Sequence, residues 1–116
     1  MRLKSGIIGA LFALLANMAL VAPAHAADAA VTEWGRVLDL QAGWTVDRML
    51  VFHGAAMKNP EGCPLTTNGY IIDENAPGRG TFYTLLLSAL LNSRDVQLVI
   101  QGCFETRPRI VSVSIR

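Results

Sequence analysis

The chain has few of the residues on which metal and thiol chemistry depends. Its 116 residues include 2 cysteines and 2 histidines, and the two cysteines lie far apart. Because a structural zinc site takes about four closely spaced ligands, the sequence predicts no metal centre and no thiol catalyst. The glycine motifs of nucleotide-binding loops, GxGxxG and the P-loop, are also absent, and no cofactor is expected.

An excess of charge of one sign is also lacking. The chain has 10 Lys and Arg residues against 9 Asp and Glu residues, with no run of like charge. Since nucleic-acid-binding proteins present a clustered basic surface, no nucleic-acid partner is expected. After residue 26 no apolar run reaches the roughly 20 residues that span a bilayer. Membrane contact is therefore expected only through the N-terminal segment, if it stays uncleaved.

That N-terminal segment, residues 1–26, has the three-part pattern of a secretory signal. Two basic residues precede an apolar stretch, and a small-x-small cleavage pattern ends at Ala26. Asn17 and Pro23 interrupt the apolar stretch, which favours a cleaved signal over a membrane anchor. We therefore expect a signal peptide followed by a single domain, residues 27–116, that is periplasmic or secreted.

Cys63 and Cys103 are the only cysteines, and the sequence predicts that they form one disulfide. An exported chain reaches an oxidising compartment, where two lone cysteines pair. A bond that closes a loop of about 40 residues stabilises the fold by about 4 kcal/mol in the chain-entropy account. A domain this small has a modest core and gains from such a covalent link.

Local hydrophobic patterns predict a mainly β fold with one helix. The predicted strands are residues 34–41, 46–53, 70–73, 96–102 and 110–115, and the predicted helix is residues 82–92. Thr81 is expected to cap the helix, and residues 28–32 are expected to be loosely ordered. This order favours the OB-fold, a small five-stranded Greek-key barrel with one helix between strands three and four. The alternative is an open α+β sheet with the helix across one face.

The predicted helix is apolar nearly all round, unlike a helix that covers a core with one stripe. Either it is wholly buried, or its outer side meets another subunit. The second interpretation predicts a homo-oligomer. Its interface candidates are Phe82, Tyr83, Leu86, Leu87 and Leu90.

A second group of residues suits a sugar ligand, because aromatic faces and amides match its C–H surfaces and hydroxyls. These ligand-binding candidates are Trp44, Asn68, Tyr70, Asn75 and Arg79. Each also fits an ordinary structural role in a hairpin, a strand or a loop. No catalytic residue is predicted, since His53 has no partner by motif. Asp73 and Glu74 are adjacent, so on extended chain their side chains point opposite ways.

The second half of the chain resembles the B subunits of bacterial AB-type toxins, above all the subtilase-cytotoxin type. The resemblance is carried by the aromatic-led helix TFYTLLLSALL, the turn NSRD, the strand VQLVI, Cys103 and a last strand after Pro108. An upstream cysteine in a loop is similar too. The resemblance implies an OB-fold, a ring of five subunits with the helix at its centre, and recognition of cell-surface glycans. It matches no motif in the first half, so it transfers no sugar-binding residue.

The sequence thus predicts an exported, non-enzymatic binding module, with a ring-forming glycan binder as the sharpest form of the hypothesis. The alternative is a monomeric periplasmic protein of the OB type that acts in stress or inhibition through protein contacts. A small hydrolase has the least support.

Overall fold

The computed structural model describes residues 28–43, 45–67 and 69–116. The predicted mainly β class with one helix is confirmed for these ranges, although they hold six strands rather than five. The strands are β1 (Ala30–Val31), β2 (Gly35–Ala42), β3 (Met49–His53), β4 (Tyr70–Ile72), β5 (Asp95–Phe104) and β6 (Arg107–Ile115), and the helix is α1 (Arg79–Asn92). The predicted signal peptide, residues 1–26, lies outside the described residues.

Five of the strands pair in a closed circuit. The pairs β2–β3, β3–β4, β5–β6 and β2–β5 are antiparallel, and β4–β6 is parallel. Two of these pairings are short, because β4 and β6 register only Ile71 with Arg109, and β2 and β5 register two residue pairs. The helix α1 lies against β2, β5 and β6. It therefore covers the interior beside the short β2–β5 pairing.

The extra strand, β1, replaces the loosely ordered segment that the sequence predicted. Ala30 and Val31 pair with β5 beyond the point where β2 leaves it. Thr32 fixes this arrangement, since its side chain is buried and its Oγ1 accepts a hydrogen bond from the Leu98 N–H at 3.0 Å. The Thr32 N–H in turn donates to the Leu98 carbonyl at 2.9 Å. The prediction of disorder for residues 30–32 is therefore wrong.

The core is built mainly from β-strand side chains. Its buried members are Val37, Val51, Tyr70, Ile72, Leu86, Ala89, Val96, Leu98, Ile100, Ile110 and Val113. The alternating apolar residues Val96, Leu98 and Ile100 of β5 are all fully buried, so this face of the strand points into the core. All three residues of β4 are buried as well, which makes it an interior strand.

Three register shifts interrupt the alternation of side chains along the strands, one between β2 and β3 and two between β5 and β6. The pairing of β2 with β3 skips Leu38, and the pairing of β5 with β6 skips Val111. A bulge adds one residue to one strand, so side chains beyond it change faces. Because of the bulge, Val37 in the core and Leu40 packed against it lie three positions apart, and Leu38 between them is 62% exposed. Val111, the skipped residue of β6, is only partly buried.

The helix begins three residues earlier than predicted, at Arg79. Its N-cap is Gly78, which makes no side-chain capping bond, so the prediction that Thr81 caps the helix is wrong. At the other end Ser93 adopts a left-handed conformation, and the Arg94 N–H donates to the Ala89 carbonyl at 2.9 Å. Nowhere in the described ranges is a helix long and apolar enough to cross a membrane.

The predicted disulfide between Cys63 and Cys103 is confirmed, with the two Cα atoms 5.8 Å apart. Cys63 lies in the loop between β3 and β4, and Cys103 lies near the end of β5. The side-chain amide of Asn59 holds that loop by donating to the Cys63 carbonyl, while its oxygen accepts from the Cys63 N–H. The bond therefore ties a loop that precedes α1 in the chain to a strand that follows it.

The burial of Leu86 gives a direct test of how α1 packs. Leu86→Ala should lower the free energy of unfolding by about 2–5 kcal/mol, because it leaves a cavity in the core. Leu91→Ala is the matched control on the same helix. Its side chain is 73% exposed, so the change should stay within about 0.5 kcal/mol. Urea unfolding followed by circular dichroism measures both, and equal effects would contradict the packing.

Removal of the disulfide tests its contribution to stability. Cys63→Ala combined with Cys103→Ala should lower the free energy of unfolding by about 4 kcal/mol, since a loop with a sequence separation of 40 is released in the unfolded chain. Chemical denaturation of the oxidised protein and of the double variant gives the difference. Unchanged stability would show that the bond adds nothing to the fold.

Candidate functional site

The main cleft lies beside the short parallel pairing between β4 and β6. It has a volume of about 430 Å³, which is within the usual range for small-molecule sites. Three segments line it: the loop that joins β4 to α1, the first turn of α1, and the middle of β6. The lining residues are Asp73, Asn75, Ala76, Pro77, Gly78, Phe82, Arg109, Ile110 and Val111.

The polar groups of the cleft are a carboxylate, an amide and a guanidinium. Arg109 donates through Nε to the Gln101 carbonyl at 3.1 Å, which fixes the guanidinium against β5. One of its terminal nitrogens lies 3.8 Å from Oδ2 of Asp73, a long ion pair. Asp73 Oδ1 also accepts a hydrogen bond from the Asn75 N–H at 2.8 Å, so it holds the loop in place. Arg109 and Asp73 are thus neighbouring, oppositely charged groups in the lining of the cleft.

The apolar side of the cleft is set by close packing of Phe82 on the loop. A Cβ atom added to Gly78 would lie 3.0 Å from two carbons of the Phe82 ring, so glycine is what allows the contact. Val111 joins this wall at the bulge in β6. The lining thus combines an aromatic ring and aliphatic groups with hydrogen-bonding groups, which suits a ligand with both C–H and hydroxyl surfaces.

Of the predicted ligand-binding residues, Asn75 alone is placed in this cleft, where its side chain is exposed. Arg79 lies nearby at the start of α1, but its guanidinium contacts other groups. It pairs with Asp47 at 3.4 Å and donates to the Glu74 carbonyl. These contacts join the β2–β3 loop to the helix start. Arg79 therefore does not line the cleft.

Tyr70, another predicted ligand residue, is part of the core. Its ring is 1% exposed, and its hydroxyl accepts a hydrogen bond from the Lys58 N–H at 2.7 Å. That bond anchors the loop between β3 and β4, so the aromatic face is turned to the interior rather than to a ligand. The remaining two candidates, Trp44 and Asn68, lie outside the described residues.

The predicted interface residues on α1 divide into two sets. Leu86 is fully buried, and Phe82 and Tyr83 are half-buried and pack against the core. Leu87 and Leu90 are exposed, together with Leu91, which the prediction omitted. Self-association through this helix stays a prediction, and only its exposed leucines are placed to take part.

His53, the histidine of the expected mature domain, has a structural position. Its Nε2 lies 3.0 Å from the Val96 carbonyl, a hydrogen bond between β3 and β5. Nδ1 is buried and has no partner among the described atoms, so the ring is held as a donor through Nε2. Across the same residues, no group of three or more His, Cys, Asp or Glu side chains is arranged to hold a metal ion.

Sequence analysis missed three residues of the cleft as ligand contacts. Phe82 was assigned to an interface, Asp73 was considered only as a partner of Glu74, and Arg109 was not singled out. The parallel pairing of β4 with β6 brings Arg109 to the other cleft residues. In it Ile71 registers with Arg109, 38 positions later in the chain. Local periodicity carries no information about such a pairing.

The burial of Tyr70 predicts a loss of stability at alkaline pH. Removal from water raises the pKa of its phenol above the ordinary 10.0, and the Lys58 hydrogen bond opposes part of that rise. The folded protein therefore keeps a proton that the unfolded chain releases, so stability is full below pH 10 and falls as pH rises further. Urea unfolding between pH 8 and pH 11.5 should show this fall, and Tyr70→Phe should make it shallower.

Tyr83 contributes to the same pH dependence. Burial and the nearby Asp47 raise the pKa of Tyr83, while Arg79 lowers it. Tyr83→Phe should therefore also make the fall in stability shallower, independently of Tyr70→Phe. A stability that rises with pH above 10, or a Tyr70→Phe protein with the wild-type slope, would contradict the account.

No known protein family, curated protein or solved structure matches this chain.

Proposed function

We propose that the chain is an exported, non-enzymatic binding module on an OB-type barrel, and that its cleft takes a saccharide. The observation that carries this proposal is the composition of the cleft: an aromatic ring and aliphatic groups line it together with the polar groups of Asp73, Asn75 and Arg109. A sugar presents C–H faces and hydroxyls together, and such a lining can contact both.

The OB-type assignment is supported by the order of the strand pairings. The five strands pair in the circuit β2–β3–β4–β6–β5. Along the chain the helix lies between β4 and β5, the third and fourth of these strands in sequence order, as it does in the OB-fold. In this assignment β1 is an addition to the five-stranded barrel. The Cys63–Cys103 disulfide supports an oxidising compartment, where such bonds persist.

The lining of the cleft also favours binding over catalysis. Hydrolysis of a glycosidic bond commonly uses two carboxyl groups that flank the bond. Of the residues described around this cleft, Asp73 is the one acid, and it is engaged with Asn75 and Arg109. Such a carboxylate is suited to accept hydrogen bonds from hydroxyls.

A glycan array tests the proposal with protein purified after export and kept oxidised. Wild-type protein should bind a defined subset of glycans, and Asn75→Ala should weaken that binding by about threefold to tenfold through loss of a hydrogen bond. Arg109→Gln should weaken it by about tenfold or more, because a charged hydrogen bond is lost. Asn92→Ala removes an exposed amide outside the cleft and should bind as wild type does.

Two results of the array would overturn the proposal. The first is no binding above background on neutral or sialylated glycans by the folded protein. The second is glycan binding that both cleft variants retain in full, which would place the sugar elsewhere.

A further inference from the structure

The last two turns of α1 expose three leucines that no described part of the chain covers. Leu91 is 73% exposed, Leu87 is 49% exposed and Leu90 is 36% exposed. Leu87 and Leu91 are four residues apart and Leu87 and Leu90 three apart, so all three lie on neighbouring positions of one helix surface. Isolated exposed leucines are ordinary, but a contiguous set marks a surface that meets something apolar.

Arginines flank this leucine surface on two sides. Arg36 of β2 lies beside Leu90 in one surface groove. Arg94 and Arg116 line a second groove, together with Ser88 and Asn92 of the helix. We call these three leucines and three arginines the leucine–arginine patch.

The charge around the patch is mainly positive. One of the three arginines, Arg36, forms an ion pair with an acid, the carboxylate of Asp95, at 3.1 Å. Arg116 lies over the ring of Trp34, with 4.4 Å between its guanidinium carbon and the ring centroid. A tryptophan ring stacked with an arginine is suited to a membrane–water interface, where tryptophan is enriched.

We propose that the leucine–arginine patch docks the protein on the surface of an anionic lipid bilayer. The leucines enter the boundary between headgroups and acyl chains, and the arginines bind lipid phosphates, with which guanidinium groups form paired hydrogen bonds. The contact is peripheral and reversible. It is a different surface from the saccharide cleft, and the proposal does not depend on what that cleft binds.

A second copy of the chain fits this patch less well than a lipid surface. In a two-fold contact both copies use the same patch, so one interface would gather the arginines of both copies. Like charges at close range oppose such an interface. An anionic bilayer instead supplies the opposite charge along with an apolar layer, and each arginine near it strengthens binding by about fivefold.

Vesicle co-sedimentation tests the proposal. The protein is purified after export and its N-terminus is established by mass spectrometry, so that the apolar leader does not contribute. It should sediment with vesicles of phosphatidylglycerol and phosphatidylcholine in equal parts, and far less with phosphatidylcholine alone. Raising the salt from 0.05 to about 0.5 M should weaken the binding, since salt screens the arginines.

Two double variants separate the apolar and charged parts of the patch. Leu87→Asn with Leu91→Asn should weaken vesicle binding by about tenfold or more. Arg94→Gln with Arg116→Gln should weaken it by about 20-fold. The matched controls are Leu38→Asn, an exposed leucine on β2, and Lys58→Gln, a positive charge in the β3–β4 loop, and both should bind as wild type does.

Any of three results would overturn the proposal: no sedimentation with anionic vesicles, equal binding to neutral vesicles, or patch variants that bind like the controls. Light scattering separates the alternative occupant. If the wild-type protein is an oligomer that binds no vesicles, and the leucine double variant is a monomer, the patch is a contact with a second copy of the chain. If the leucine variant fails to fold by circular dichroism, the arginine variant and the salt dependence still decide.

Discussion

Closure of the strand circuit is the constraint on which the rest of the structure depends. β4 and β6 run parallel, and a parallel pair requires a long connection, which here contains α1 and β5. The three residues of β4 register with β3 at three pairs but with β6 at a single pair. Side chains complete the seam: Arg109 reaches toward Asp73, and Phe82 packs on Gly78. The cleft is the space that this short pairing leaves open.

Much of the fold could be predicted from local pattern, and the exceptions share a cause. Alternating apolar residues identified five strands, and the two cysteines identified the disulfide. The sixth strand could not be predicted, since two residues carry no periodicity and Thr32 is held by contacts with Leu98, 66 positions away. Bulges at Leu38 and Val111 add a residue to one strand, and the pattern alone does not show where.

The candidate site was harder to predict than the fold, because its residues come together only through the β4–β6 pairing. Asn75 was found because a loop amide beside a strand is visible in the sequence. Tyr70 is an aromatic residue of the kind that can contact a sugar, but burial of its ring and its hydrogen bond with Lys58 make it a core residue. Arg109 lies just before the predicted strand 110–115, whereas β6 begins at Arg107, so nothing nearby in the sequence marks it.

The cleft and the leucine–arginine patch lie toward opposite ends of α1, so one surface can hold a saccharide while the other meets a membrane. The central claim is that the cleft is the binding site. An NMR titration of the ¹⁵N-labelled exported protein with glucose, galactose, N-acetylglucosamine and N-acetylneuraminic acid tests it most directly. The account predicts shifts concentrated on the backbone amides of residues 73–76 and 109–111 with at least one of these sugars. No shifts with any of them, or shifts confined to residues away from the cleft, would contradict it.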